Sequence, residues 1–290
     1  MVRLAQLIVD GIILGGTYAI CALGMVVIFK ATDVINIAQG ELVMITAFFA
    51  FTFRVHFDWP LAFSFFLAIG FVILLSLAIE RLALRPLIKA PVWTNIIATI
   101  ALLMILQSTA RLIWGPEPYT FPSYLSQVPF NIEGIRLTHQ DVAILGTSII
   151  YMTLLFVFFK YARIGKGMRA VQMDKEAASL MGISVRKMYS YVWMLNAILV
   201  GTIGILLAPR LGVYSTMGLL FIKGFVVAVM GGFTSLAGSI VGGFLLGVVE
   251  TLAGFYISSA MKDIISFIIL ILILIAKPTG LFSESVTKRV

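Results

Sequence analysis

Asn36, Gln39 and Glu41 fall within six residues, Asn36-Ile37-Ala38-Gln39-Gly40-Glu41, at the head of a long apolar run. A carboxylate inside hydrocarbon is costly, so it normally faces protein or water and marks a path for a polar solute. With Gly40 beside it, the group fits a bent or partly unwound helix start that lines a cavity. It equally fits an ordinary helix start at a membrane surface, with Asn36 capping and Glu41 favoured by the helix dipole.

A second group begins at Lys223 and continues through Gly231-Gly232-Phe233-Thr234-Ser235-Leu236-Ala237-Gly238-Ser239 to Gly242, Gly243, Gly247 and Glu250. Glycines at such spacing let helices approach closely. The same pattern suits two short helices meeting inside a membrane, as in transporters with broken helices. Lys223 either pairs with a carboxylate such as Glu41 or Glu250, or its amine snorkels to an interface.

The third group lies in a polar loop. Met173, Ala177, Leu180 and Met181 recur at helical spacing, Asp174 and Glu176 favour a first turn, and Gly182 is a C-cap candidate. The spacing predicts one short amphipathic helix outside the bilayer, with a small apolar face suited to a partner's groove or to the membrane surface. Enzymatic groupings are missing from the sequence. There is no His-Glu-x-x-His, no Gly-x-Ser-x-Gly and no phosphate loop, and His56 and His139 stand apart. The single Cys21 cannot close an intramolecular disulfide or a metal cage.

The elements that carry these groups are set by composition. Hydrophobic residues make up 61% of the 290 and charged residues only 12%, about half the roughly 25% of soluble domains. With a mean hydropathy of +1.08, the solvent is lipid. A soluble enzyme, a disordered chain and a secreted disulfide scaffold are excluded. Nine apolar segments follow, at residues 11–29, 34–53, 59–79, 91–110, 142–159, 188–207, 219–230, 236–261 and 264–276. A span needs roughly 20 residues, so two or three of these are too short or too broken for ordinary lipid-facing helices. The start does not read as a cleavable signal peptide. The first run is expected to remain as a membrane helix.

Orientation follows from the basic residues. Lys160, Arg163, Lys166, Arg169, Lys175, Arg186 and Lys187 crowd the 160–188 loop, which places it in the cytoplasm. Alternation then puts Lys30, Arg81, Arg85, Lys89, Lys277, Lys288 and Arg289 inside, and Arg3, Arg54, Arg111, Arg136, Arg210 and Lys262 outside. The expected topology has an external N-terminus and an internal C-terminus. Trp59, Trp93, Trp114 and Trp193 fall near span ends, as headgroup anchors do. The net charge of +8 therefore needs no nucleic acid to explain it. Residues 115–141, with four prolines, read as an extended or short-helix external connection.

Taken together, the motifs resemble the LivH-type permeases of bacterial branched-chain amino acid ATP-binding-cassette importers. The resemblance rests on Asn36–Glu41, on Glu80-Arg81 with Arg85-Pro86, and on Glu176-Ala177-Ala178 with Gly182. It continues through Gly231-Gly232, Gly238, Gly242-Gly243 and Glu250 to Pro278-Thr279-Gly280. It implies a single all-α transmembrane permease domain over residues 1–290, with about eight or nine transmembrane helices and glycine-interrupted short ones, in a type II importer-like permease fold. It also implies a LivM-like second permease, two ATPase subunits that bind ATP and magnesium, and a periplasmic binding protein, with no cofactor or metal in this chain. By the same likeness, Asp174, Glu176, Ala177, Ala178 and Gly182 couple to the ATPase. Leu195 stands where the Glu-Ala-Ala motif of other importers ends in proline, which implies the family's own docking geometry. A translocation path is implied near Asn36, Gln39, Gly40, Glu41, Lys223, Gly231, Gly232, Gly242, Gly243 and Glu250. The substrate stays open between branched-chain amino acids, urea, amides and small carboxylates. From the residues alone, a secondary transporter or channel is also open.

Overall fold

The computed structural model describes residues 2–88, 90–123, 125 and 128–282; Lys89, Lys288 and Arg289 of the charge map lie outside them. All nine apolar segments are helical. They become α1 (Val2–Thr32), α2 (Gln39–Phe51), α3 (Leu61–Ile79), α4 (Val92–Trp114), α5 (His139–Tyr161), α8 (Val185–Leu211), α9 (Phe221–Gly231), α10 (Leu236–Tyr256) and α11 (Met261–Ala276). Two further helices, α6 (Arg163–Met173) and α7 (Lys175–Leu180), form the polar loop. Among the described residues six helices are long and apolar enough to cross a membrane: α1, α3 with its continuation to Leu87, α4, α5, α8 and α10. The shorter ones are α2, α9 and α11, of 13, 11 and 16 residues.

α1 and α8 form the centre, buried along most of their length, and α3, α4 and α5 stand outside with their apolar faces open. Trp93, Ile97, Met104 and Leu112 of α4 are exposed, as hydrocarbon contact requires. Trp193 differs from the expectation. It is 2% exposed and packs inside the bundle, where its carbonyl accepts a bond from Ser76 at 3.1 Å. A tryptophan two turns into α8 is drawn inward by packing rather than outward by the headgroup layer.

Glycines decide the central packing. Gly11 and Gly15 of α1 face Gly243 and Gly247 of α10, an antiparallel meeting of two small-xxx-small stripes. A Cβ on Gly15 would lie 2.7 Å from the Gly243 carbonyl oxygen, and one on Gly247 would lie 2.5 Å from the Gly15 Cα. Gly204 of α8 presses on the backbone of Val43 in α2 in the same way. At the end of α3, the buried Glu80 takes a two-pronged contact from Arg85 at 2.8 and 2.9 Å and a bond from Ser190 of α8.

The 115–141 connection holds more than an extended run. β1 (Phe130–Ile132) and β2 (Ile135–Leu137) pair antiparallel, with Glu133 and Gly134 both at positive φ in the turn. That two-residue geometry is the one right-twisted hairpins favour. Thr138 then caps α5 in a reciprocal box with Asp141.

Candidate functional site

The connection after α1 does not run along the surface. Gln39 donates to the Cys21 carbonyl at 3.2 Å and lies against Gly24, whereas α1 ends only at Thr32. Eleven helical residues separate Cys21 from Thr32, a rise of about 16 Å. Residues 33–38 therefore climb back alongside α1, and α2 begins deep in the bundle. Asp33 makes the reversal at φ +59°.

Asn36 does not cap α2. The residue before α2 is Ala38, and no side chain caps the helix. Asn36 Oδ1, Gln39 Oε1 and both Glu41 carboxylate oxygens are buried without a hydrogen-bond partner. Glu41 is 1% exposed. Buried polar atoms are almost always paired, with protein or with ordered water, so this cluster is one that water or a polar solute would answer. Asn196 of α8 adds to it. Its amide is buried with neither atom paired, and it sits against Gly24 beside Gln39.

A second broken element meets the first here. After α8 the chain forms a 3-10 turn, Met217–Leu220, that leads into α9. Gly218 touches the Glu41 carboxylate: a Cβ there would lie 2.6 Å from Oε1. Gly40 in turn packs on the Gly218 carbonyl and lies 2.6 Å, by its own Cβ position, from Phe221. Two short helices thus start side by side within the bundle, the arrangement of broken-helix transporters. The only backbone able to lie this close is glycine. Arg111 of α4 donates to Ser215 at 3.1 Å. Gly218 also lines an apolar cleft of about 170 Å³.

Lys223 and Glu250 form a separate centre. Lys223 is 7% exposed and lies 3.3 Å from Glu250, 2.8 Å from Asp263 and 2.9 Å from Ser266. Ser266 and Tyr18 both donate to Glu250, at 3.1 and 3.2 Å. Lys223 therefore pairs with Glu250 rather than Glu41. The network clamps α1, α9, α10 and α11, and every charge in it is answered. Removing one member strands the other: Lys223→Met is expected to cost about 3–5 kcal/mol, visible as a lowered melting temperature in detergent. An unchanged melting curve would show the clamp to be idle.

The remaining glycines serve turns and packing. Gly231 lies against Gly238, and Gly232 turns at φ +94° with Gly280 stacked on it. Leu281 and Phe282 donate to Met230 and Gly231 at 2.8 and 3.2 Å, so the C-terminal segment straps the α9–α10 turn. Gly243 belongs to the seam with α1, and Gly242 makes ordinary contact with Val227. The helical run is interrupted on both sides of α9, by the turn at Met217–Leu220 and again at residues 232–235.

The polar loop holds two helices where one was expected. Asp174 ends α6 and caps α7, its Oδ1 accepting from Glu176 and Ala177 at 2.8 and 2.9 Å. Gly182 closes α7 at φ +81°, with Gly182 and Ile183 donating to Ser179 and Ala178. Ala178 is the buried anchor, packed with Val171 and Tyr189. Glu176 and Ala177 face outward, and Leu180 and Met181 are 88% and 82% exposed. Lys175 reaches back to Asp33 at 2.5 Å. Burial pulls the Lys175 pKa down, but the bond to Asp33 and the neighbouring Tyr189 outweigh it, so it stands above the ordinary lysine value. α7 is thus seated on Val171 of α6 and Tyr189 at the base of α8, and α8 runs on to Asn196 and the α2 contact at Gly204.

Asn196, Gly24 and Gly218 were not singled out in the sequence. Asn196 carried a signal, an amide in the middle of an uncharged span. Gly24 and Gly218 carried none, since only the tertiary approach gives them meaning.

Comparisons with known proteins fit this architecture. The family model described as branched-chain amino acid transport system / permease component matches residues 7–274. The high-affinity branched-chain amino acid transport system permease protein LivH of Salmonella typhimurium is 30% identical over 306 residues, covering 98% of this chain and 97% of that one. LivH of Escherichia coli K12 is 30% identical with the same coverage, and BraD of Pseudomonas aeruginosa 29%, again over 98% and 97%. Among solved structures, a chain of PsaBC from Streptococcus pneumoniae in complex with Fab matches at a TM-score of 0.52 and 15% identity, over 91% of this chain and 89% of that one; this likeness concerns the fold alone. A helical permease fold, two broken helices around buried polar groups and a match along nearly the whole chain agree: the protein belongs to the family of permease components of branched-chain amino acid transport systems.

Proposed function

We propose that the chain is one of two permease subunits of an ATP-driven importer that carries branched-chain amino acids across the cytoplasmic membrane. Its partners are a second permease, two ATPase subunits that bind ATP and magnesium, and an extracytoplasmic binding protein. The N-terminus lies outside and the C-terminus inside, the orientation that the basic 160–188 loop favours. The observation that carries the reading is the buried, unpartnered Glu41 at the meeting of two broken helices. The family match supplies the substrate class.

The mechanism is alternating access. Closure of the ATPases moves α7, whose Leu180 and Met181 are the exposed anchors. Because Ala178 and Tyr189 weld α7 to α8, and α8 abuts α2 at Gly204, the movement reaches Gln39 and Glu41. ATP then biases a two-state element through contacts that differ between its states. Asp174, Glu176, Ala177, Ala178 and Gly182 form the coupling knob. Asn36, Gln39, Gly40, Glu41 and Asn196 line the path, while Lys223, Glu250 and the 231–243 glycines hold its frame.

The test is Glu41→Gln, which keeps shape and removes the charge. ATP-driven leucine uptake by the reconstituted importer is expected to fall about tenfold or more, the equivalent of about 1.4 kcal/mol of lost stabilisation. Normal uptake kinetics would return Glu41 to a role in packing.

A further inference from the structure

α3 and its continuation carry two openings along one face. Where the continuation meets the start of α8 there is a pocket of about 520 Å³. Arg81, Arg85, Arg186 and Lys187 line it with Ser190, and Leu77, Tyr191 and Met194 form its apolar wall. The buried Glu80 holds Arg85 through Nε and Nη2, so that guanidinium is fixed and Glu80 is already engaged. Arg81, Arg186 and Lys187 are exposed, and among the described residues no carboxylate pairs with them. Three cations thus share one hollow with no anion of the chain to answer them. The second opening is a groove of about 630 Å³ further along α3, walled by Phe63, Phe66, Gly70, Phe71 and Leu74. Gly70 keeps it clear, with nothing within 4 Å of a Cβ there. Phe66 and Leu74 are 72% and 68% exposed, as hydrocarbon contact requires. Phe66, Gly70, Leu74, Leu77 and Arg81 recur at intervals of three and four, which makes them one stripe of the helix.

From Gly70 to Arg81 the helix rises about 16 Å, close to half of the roughly 30 Å hydrocarbon core. An apolar stripe one leaflet deep that ends in unanswered cations is complementary to an amphiphile with an anionic head. We propose that this face of α3 seats one anionic phospholipid. Its phosphodiester lies between Arg81, Arg186 and Lys187, and an acyl chain runs along Leu77, Leu74 and Gly70. Arginine forks suit phosphate oxygens, and basic pockets between helices at the cytoplasmic surface recognise such head groups. In the orientation proposed above, this end of α3 faces the cytoplasmic leaflet. An acidic protein segment would answer the cations but not the apolar stripe that runs on from them. The bound lipid bridges α3 to the base of α8. The inference stands on the membrane reading alone and is independent of what the chain transports.

The experiment titrates the purified full chain in detergent with dioleoyl phosphatidylglycerol or dioleoyl phosphatidylcholine, and native mass spectrometry counts the bound molecules. Phosphatidylglycerol is expected to bind about tenfold more tightly than phosphatidylcholine, which has the same chains and no net charge. Arg81→Gln with Lys187→Gln is expected to erase that preference. Arg81→Lys with Lys187→Arg, which keeps both charges, should retain most of it. Both positions are exposed, so melting in lipid-free detergent should match the unaltered chain in each pair. A large excess of inorganic phosphate should leave the phosphatidylglycerol in place, because it lacks the chain that fills the groove. Equal binding of the two lipids would overturn the seat, as would an anionic preference that survives in the Gln pair. Displacement by phosphate would assign the hollow to a free anion and overturn the lipid. The same titration on the assembled importer should keep one phosphatidylglycerol bound. Its loss on assembly would show that a partner subunit covers these cations, which also overturns the proposal.

Discussion

Gly247→Leu is expected to eliminate the folded chain. The new side chain would grow into the backbone of α1, where a Cβ alone lies 2.5 Å from the Gly15 Cα. Extra methylenes in a packed core cost about 1–3 kcal/mol when neighbouring side chains can yield. Here the neighbour is main chain, which cannot, so the loss sits at or above about 3 kcal/mol. Lipid offers no hydrophobic drive to hold the helices together once close packing is gone. Gly70→Leu is the control: nothing lies within 4 Å of a Cβ there, and α3 is lipid-facing on that side. Size-exclusion profiles and melting curves in detergent check the pair. A monodisperse Gly247→Leu protein with wild-type melting would contradict the seam.

The second large effect belongs to α7. Leu180→Glu with Met181→Glu changes two side chains that stand 88% and 82% exposed, so the fold and membrane insertion should be unaffected. Each apolar anchor of a partner interface is worth about 2 kcal/mol or more. Losing both is expected to weaken ATPase docking roughly a thousandfold, read as loss of ATPase copurification and of binding-protein-stimulated hydrolysis. Undiminished copurification would remove α7 from the interface. Gly182, at φ +81°, fixes where α7 ends, so a branched residue there should weaken docking less completely by tilting the knob.

The helices were legible because hydropathy is local. Each of the nine apolar runs is a helix, and the shortness of 264–276 was already visible. The break at Asp174 was not. Its sequence suits a first turn equally well with or without a preceding helix, and only its β-region backbone, at φ −158°, separates α6 from α7. The hairpin at 130–137 carried a signal in Glu133-Gly134, masked by the prolines around it. For Lys223 the sequence left Glu41, Glu250 and an interface open; it meets Glu250 of α10 and, more closely, Asp263 of α11, because the choice depends on which face α9 turns toward those helices. Glu41 was visible as an expensive charge. That it is orphaned beside Gly218 follows from a backbone approach that leaves no mark in local sequence. Asn196 falls between, a polar residue in plain view whose neighbour Gln39 lies 157 positions away in the chain.

The central claim is that α7 lets an ATPase drive a path that this chain lines but cannot power. Leucine uptake into proteoliposomes tests it most directly, with ATP supplied on the side of the 160–188 loop and the binding protein on the other. The account predicts uptake only when the second permease and both ATPases are present, and none from this chain alone. Leucine uptake by the purified chain without ATPases would contradict it.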